Sequence, residues 1–98
     1  MIIRYKSKKL ERVCTDYASA QRVHGKDMAR IIHTRIDQIV AADSVETLVK
    51  YSIGRCHPLQ GNRDGEYAMD LIHPYRLVFE VKKAEIKIAK IMCIEDYH

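Results

Sequence analysis

Residues 67–81 read YAMDLIHPYRLVFEV, in which two alternating runs flank a His-Pro pair. The first run places three apolar side chains on one side of the chain: Tyr67, Met69 and Leu71. A period of two is typical of a β-strand with one buried face, and His73-Pro74 is typical of a tight turn. The stretch therefore predicts a β-hairpin, whose second strand points four side chains inward: Tyr75, Leu77, Phe79 and Val81.

The neighbouring segments extend this hairpin into a sheet. Downstream, Ile86 and Ile88 alternate with polar residues, and residues 91–94 are continuously apolar, which is typical of a central strand covered on both faces. Upstream, residues 52–65 are rich in Gly, Pro, Asn and Asp and predict a loop. Residues 1–6 are apolar and β-prone and predict a first strand.

Helical patterns lie between the first strand and the loop. Ser7 is placed to cap a helix that ends at Gly25, and Asp43 with Glu46 resembles a capping box for a short later helix. Between them, a helical stripe predicts a second helix: Met28, Ile31, Ile32, Ile36, Ile39 and Val40. The sequence thus predicts an α+β fold, with an N-terminal strand, two to three helices and a three-strand antiparallel meander that completes a curved mixed sheet.

Length and composition limit the kinds of protein this can be. The chain has 98 residues, of which 47% are hydrophobic and 31% charged, as is typical of one globular domain, here residues 1–98. A chain this short buries roughly 60 to 70% of its surface, so we expect no enclosed cofactor chamber and no cofactor. No apolar run approaches the roughly 18 residues of a membrane helix. We expect no membrane association, no signal peptide and a cytoplasmic location.

The cysteines predict neither a metal site nor a disulfide framework. Cys14, Cys56 and Cys93 are widely separated and include no CxxC pair. Cys14 and Cys93 are interpreted as core side chains, whereas Cys56 lies among polar and basic neighbours. His24 and His33 lack acidic or sulfur partners at metal spacing, and packing roles are expected for them.

Positive charge is concentrated in the first third of the chain. Residues 1–35 contain nine bases and three acids, a net charge of +6, whereas the remainder contains eight bases and ten acids, a net charge of −2. A basic surface of this kind favours binding to a polyanion, nucleic acid above all. The alternative is a solvated basic helix face without a partner.

Several polar side chains have the chemistry needed to cleave RNA without a metal. That reaction requires a base for the 2′-hydroxyl proton, a fixed cation for the phosphate and an acid for the leaving oxygen. The candidates lie in the loop, the hairpin and the carboxyl end: Arg55, His57, Gln60, Arg63, Arg76, Asp96, Tyr97 and His98. Each has a structural alternative, since His57 is also compatible with a surface loop, Arg76 with an ion pair to Asp70, and His98 with a frayed end. His73 is interpreted first as a turn residue, and as a phosphate contact second.

Three ordered motifs resemble the HigB "killer protein" branch of the RelE/ParE toxin superfamily. They are RCHPLQGNRDGEYA at 55–68, HPYRLVF at 73–79 and EDYH at 95–98. The resemblance implies a ribosome-dependent mRNA endonuclease, which is the toxin of a type II toxin–antitoxin pair. It also implies a helix-turn-helix, HigA-like antitoxin, and contact with operator DNA mainly through that antitoxin.

Carried over by position, the resemblance assigns roles that agree with this chemistry. It implies proton transfer by His57 and His98, phosphate binding by Arg76, and a neighbour-orienting role for Asp96, with Tyr97 in the same catalytic set. Many relatives have Lys at the position of Gln60, and some have Arg at that of Asp70. These departures remove two cations.

Other residues are expected to contact RNA or the ribosome. They lie on the basic helices and around the loop and turn: Lys8, Lys9, Arg12, Arg22, Arg30, Arg35, Arg55, Gln60, Arg63 and His73. Two other functions are compatible with the same sequence. One is a ParE-like gyrase poison, which the two histidines disfavour, and the other is a nucleic-acid-binding module without catalysis.

Overall fold

Five strands form one mixed sheet in the computed structural model, which describes residues 1–97. The strands are β1 (Ile2–Tyr5), β2 (His57–Pro58), β3 (Glu66–Asp70), β4 (Tyr75–Glu80) and β5 (Ile88–Asp96). Their order across the sheet is β1-β5-β4-β3-β2, with β1 parallel to β5 and the other neighbours antiparallel. The predicted α+β class and the antiparallel meander are confirmed, and β5 has a neighbour on each side. β2 is an additional short strand within the predicted loop.

Helices fill the chain between β1 and β2. Over residues 1–97 they are α1 (Lys8–Thr15), α2 (Tyr17–His24), α3 (Lys26–Ala41) and α4 (Val45–Lys50), followed by a 3₁₀ turn, Ile53–Arg55. Ser7 caps α1 as predicted, since its hydroxyl oxygen accepts a hydrogen bond from Leu10 N at 3.1 Å. None of these helices is long and apolar enough to span a bilayer.

Two details of the helices differ from the prediction. The segment before Gly25 is two helices, because Asp16 has an extended backbone (φ −117°, ψ 108°) and its carboxylate accepts a hydrogen bond from the Ser19 hydroxyl at 2.7 Å. α4 is capped by Ser44 rather than by Asp43, since the Ser44 oxygen accepts a hydrogen bond from Thr47 N. Local hydrogen bonds of the Asp16 and Ser44 side chains, the first to a hydroxyl and the second to a backbone N–H, lie at these two boundaries.

The hydrophobic core lies between the helices and one face of the sheet. Its fully buried side chains come from both layers: Ile32, Ile39, Leu48, Met69, Leu77, Phe79 and Ile91. The inward position predicted for Tyr75 is wrong, because this residue begins β4 at the margin of the core and is 41% exposed.

The opposite face of the sheet, here called the outer face, carries the polar groups of β3, β4 and β5. It is defined by side chains that alternate with the core positions: Ala68, Asp70, Arg76, Val78, Cys93 and Glu95. The register pairs Arg76 with Glu95 and Val78 with Cys93, but then pairs Phe79 with Ile91. Met92 is therefore an extra residue in β5, which is a β-bulge.

Candidate functional site

Arg76 lies at the centre of a polar cluster on the outer face. Its Nε and Nη2 atoms donate hydrogen bonds to Glu95 Oε2 at 2.8 and 2.6 Å. Its guanidinium carbon lies 5.1 Å from the centre of the Tyr97 ring, within the range of a cation–π interaction. The alternative that paired Arg76 with Asp70 is wrong: the two are opposite each other in the sheet, but each side chain bonds a different partner.

Tyr97 joins Arg76 to two further candidates. The His73 ring packs edge-on against it, with the ring centres 6.1 Å apart. Arg55 donates to the Asp70 carboxylate at 2.6 and 3.1 Å. The hydrogen bonds to Asp70 and the charge of Asp70 are the main causes that raise the pKa of Arg55. The charge of Tyr97 and a hydrogen bond that Arg55 donates to its oxygen raise the pKa further. The phenol therefore lies among three of the predicted RNA-contacting or catalytic groups.

His57 reaches the same face from β2. It is half-buried, and its direct partner in β3 is Ala68, so the two side chains share the outer face. His57 Nδ1 lies 2.9 Å from the Arg55 carbonyl oxygen. In the neutral ring, Nδ1 must donate to that carbonyl, which leaves Nε2 with a lone pair. This tautomer presents Nε2 as a proton acceptor.

Glu95 belongs to this cluster but was not predicted as a site residue from the sequence. Arg63, in the loop before β3, donates to its two oxygens at 3.0 and 3.1 Å and to Glu66 at 2.9 Å. These contacts, those from Arg63 foremost, lower the pKa of Glu95 to about 2. Glu95 is therefore a permanent anion at neutral pH, and Arg63, expected to contact RNA, already has two carboxylate partners.

The remaining candidates of the loop and the carboxyl end occupy three different settings. Gln60 is exposed in the loop. Asp96 is exposed, and strand alternation places it on the face of β5 opposite Glu95 and Tyr97. His98 lies outside the described residues.

The basic residues of the helices divide into exposed and structural groups. Those on α1 and α2 are exposed: Lys8, Lys9, Arg12 and Arg22. Arg30 is exposed and pairs with Asp27 at 2.9 Å. Arg35 is half-buried instead; its Nε donates to the Asp70 carbonyl at 2.7 Å and its Nη1 to Gln38 Oε1 at 3.1 Å. It links α3 to the end of β3, which is a structural position.

The three thiols are shielded from water and weakly acidic. Cys14 and Cys56 are buried in the core, and burial raises the pKa of each to about 12. Cys93 is half-buried on the outer face, where burial and Glu95 raise its pKa to about 11. Within residues 1–97, no group of three or more His, Cys, Asp or Glu side chains is arranged to hold a metal ion.

Solved structures with the same fold are bacterial toxins. The YoeB chain of a YoeB–YefM complex from Staphylococcus aureus superposes with a TM-score of 0.64 and 24% identity, over 100% of this chain and 97% of that one. A YoeB/ParE toxin from Agrobacterium tumefaciens gives the same TM-score with 15% identity, over the whole of both chains. Neither the protein-family models nor the curated protein sequences include a match. At these identities, what the chain shares with the YoeB-type toxins of the RelE/ParE superfamily is the fold.

Proposed function

We propose that this protein is the toxin of a type II toxin–antitoxin pair, of the HigB type, and that it cuts mRNA on the ribosome. The observation that carries the proposal is a set of side chains at one end of the outer face and in the adjoining β3–β4 turn: His57, Arg76 and Tyr97, with His73 from the turn. His57 supplies a proton acceptor and Arg76 a fixed cation, which are two of the three groups that metal-independent RNA cleavage requires. The shared fold with YoeB-type toxins supports the same function.

In the proposed reaction the 2′-oxygen of the RNA attacks the adjacent phosphorus, and the 5′-oxygen of the next nucleotide leaves. His57 Nε2 takes the 2′-hydroxyl proton, and Arg76 stabilises charge on the phosphate oxygens. His98 returns a proton to the leaving oxygen. Tyr97 completes the site beside Arg76, and the role proposed for Asp96 is to orient a neighbour from the other side of β5.

Binding to the ribosome is proposed to use the exposed basic helices. Lys8, Lys9, Arg12, Arg22 and Arg30 supply charge on that surface, and Arg55, Gln60 and His73 border the cleavage site. Arg35 and Arg63 support the site through protein contacts, which is a different role from the RNA contacts expected of them.

The proposed partner is a helix-turn-helix antitoxin of the HigA type, through which the pair would reach operator DNA. A YoeB–YefM toxin–antitoxin complex from Staphylococcus aureus is a heterotetramer, which supports an antitoxin partner for a chain of this fold. A protein that cleaves translated mRNA acts in the cytoplasm, which is the proposed location. Residues 1–98 are proposed to form one toxin domain. A neighbouring reading frame for a helix-turn-helix protein of about 100 residues would strengthen this assignment.

The test is expression of the toxin without an antitoxin, followed by primer extension on a reporter transcript. We expect growth arrest and breaks confined to the translated region. A matched transcript without a start codon is the control and should remain intact. Arrest with intact transcripts and broken DNA would favour a gyrase poison. Ribosome binding without cleavage would favour a non-catalytic binding module.

A further inference from the structure

Glu95 is the most heavily bonded carboxylate of the outer face. Its Oε2 accepts hydrogen bonds from Arg76 Nε and Nη2 and from Arg63 Nη1, and its Oε1 accepts from Arg63 Nη2 and from Cys93 Sγ at 3.4 Å. The side chain of Arg76 is 17% exposed and that of Glu95 is 26% exposed. These charge-assisted bonds are partly shielded from water and are stronger than surface ion pairs.

Arg63 is the second support of this arrangement. Its Nε donates to Glu66 at the start of β3, and its other two nitrogens donate to Glu95. The guanidinium thus joins the loop before β3 to β5, and its planar fork fixes the carboxylate in one orientation. Glu95 in turn contacts one edge of Arg76, the edge formed by Nε and Nη2.

We propose that Glu95 is a positioning residue for Arg76, and that Arg63 acts by fixing Glu95 rather than by contacting RNA; both roles rest on the nuclease function proposed above. Within residues 1–97, no hydrogen bond involves Arg76 Nη1. A guanidinium has five N–H groups, so it can be held by a carboxylate on one edge and still bind phosphate oxygens with the rest. Glu95 therefore presents the Nη1 end of Arg76 to the substrate.

Two other roles for Glu95 fit the geometry less well. A general base works best with a pKa near the working pH, whereas the two arginines hold the pKa of Glu95 near 2. A carboxylate that occupies the phosphate position in the resting enzyme would have to leave Arg76 on substrate binding. Arg63 and Cys93 hold Glu95 in place, which opposes such a movement.

The test compares Glu95→Gln with the wild type in single-turnover cleavage of mRNA on purified ribosomes. The amide keeps the side-chain shape but replaces one acceptor oxygen by a donor facing two arginines. We expect the maximal rate to fall about 10- to 100-fold, as is typical for a misplaced catalytic group, with a change in half-saturation of less than about threefold. Glu80→Gln is the matched control, on the same face of β4 and outside the cluster, and should cleave like the wild type.

A double-variant cycle separates positioning from general damage to the fold. The fold-losses in rate caused by Glu95→Gln and Arg76→Lys should not multiply in the double variant, because both substitutions remove the orientation of one guanidinium. The fold-losses caused by Glu95→Gln and His57→Gln should multiply. If Glu95→Gln melts below the assay temperature, Arg63→Lys decides the question and should lower the maximal rate in the same selective way. Two outcomes would overturn the positioning role alone, provided that the wild type cleaves. One is a Glu95→Gln variant that cleaves like the wild type, and the other is a double variant in which the rate losses from Arg76→Lys and Glu95→Gln multiply. Absence of cleavage by the wild type would overturn the nuclease function and, with it, this role.

Discussion

The charges of the outer face and those of α1 are organised in opposite ways. On the outer face, three arginines each donate hydrogen bonds to carboxylate oxygens through two or more guanidinium nitrogens, at 3.1 Å or less: Arg55, Arg63 and Arg76. On α1, Lys8 and Lys9 are exposed, and neither forms an ion pair within residues 1–97. Paired charges fix geometry but produce little long-range field, whereas exposed charges attract a polyanion without fixing it. The charges that fix the geometry of side chains and the charges that attract a polyanion thus lie on different surfaces of the molecule.

The largest effect is expected at His57 on the outer face. His57→Gln removes the proton acceptor while keeping a polar side chain, and should lower the cleavage rate by about 10² to 10⁴. Binding to ribosomes, measured by co-sedimentation, should stay within about twofold because the α1 charges are unchanged. A variant that cleaves at the wild-type rate would remove His57 from the reaction.

A slightly smaller loss is expected for Arg76→Lys. This substitution keeps the positive charge but loses the planar fork that bonds Glu95, and we expect a fall of about 10² to 10³ in cleavage rate. Arg4→Lys, also on a strand of the sheet but outside the cluster, is the control and should be unaffected. If charge alone suffices at position 76, both lysine variants will cleave equally well.

The exposed charges are tested by a triple Lys8, Lys9 and Arg12 to Ala variant. We expect weaker ribosome association. The slope of the logarithm of the association constant against the logarithm of the salt concentration should become shallower by about 1 for each lost phosphate contact. Cleavage by ribosome-bound protein should change little. A triple Lys82, Lys83 and Lys87 to Ala variant removes equal charge from the β4–β5 turn and is the control. Equal losses in the two triple variants would mean that net charge matters and the location of α1 does not.

The smallest effect concerns the pH dependence of stability. The pKa of Glu95 is lowered from 4.5 to about 2 in the folded protein, so its contribution is fully present above about pH 4.5 and is lost as the pH falls towards 2. Urea unfolding should find Glu95→Gln less stable than the wild type by about 1 to 3 kcal/mol at pH 7. The two proteins should converge near pH 2. A difference that is constant from pH 7 to pH 2 would contradict the ion pairs described for Glu95.

The features that local chemistry dictates could be predicted from the sequence, whereas long-range pairings could not. The hairpin follows from alternation at 67–81, and the start of α1 follows from Ser7 next to its helix. The partner of Arg76 does not, because continuing the Phe79–Ile91 register without the bulge would place Ile94 opposite Arg76. The structural role of Arg35 is also invisible in the sequence, since it depends on a carbonyl 35 residues away.

The bulge at Met92 has a further consequence for how β5 can change in evolution. Before it, Ala89 and Ile91 face the core; after it, Ile94 faces the core while Glu95 and Tyr97 lie on the outer face. Odd-numbered residues of β5 therefore face the core before Met92, and even-numbered residues face the core after it. A change that closed the bulge without removing a residue would leave the composition of β5 intact, yet it would turn Glu95 and Tyr97 away from the outer face. In this part of the chain, the spacing between residues carries as much information as their identity.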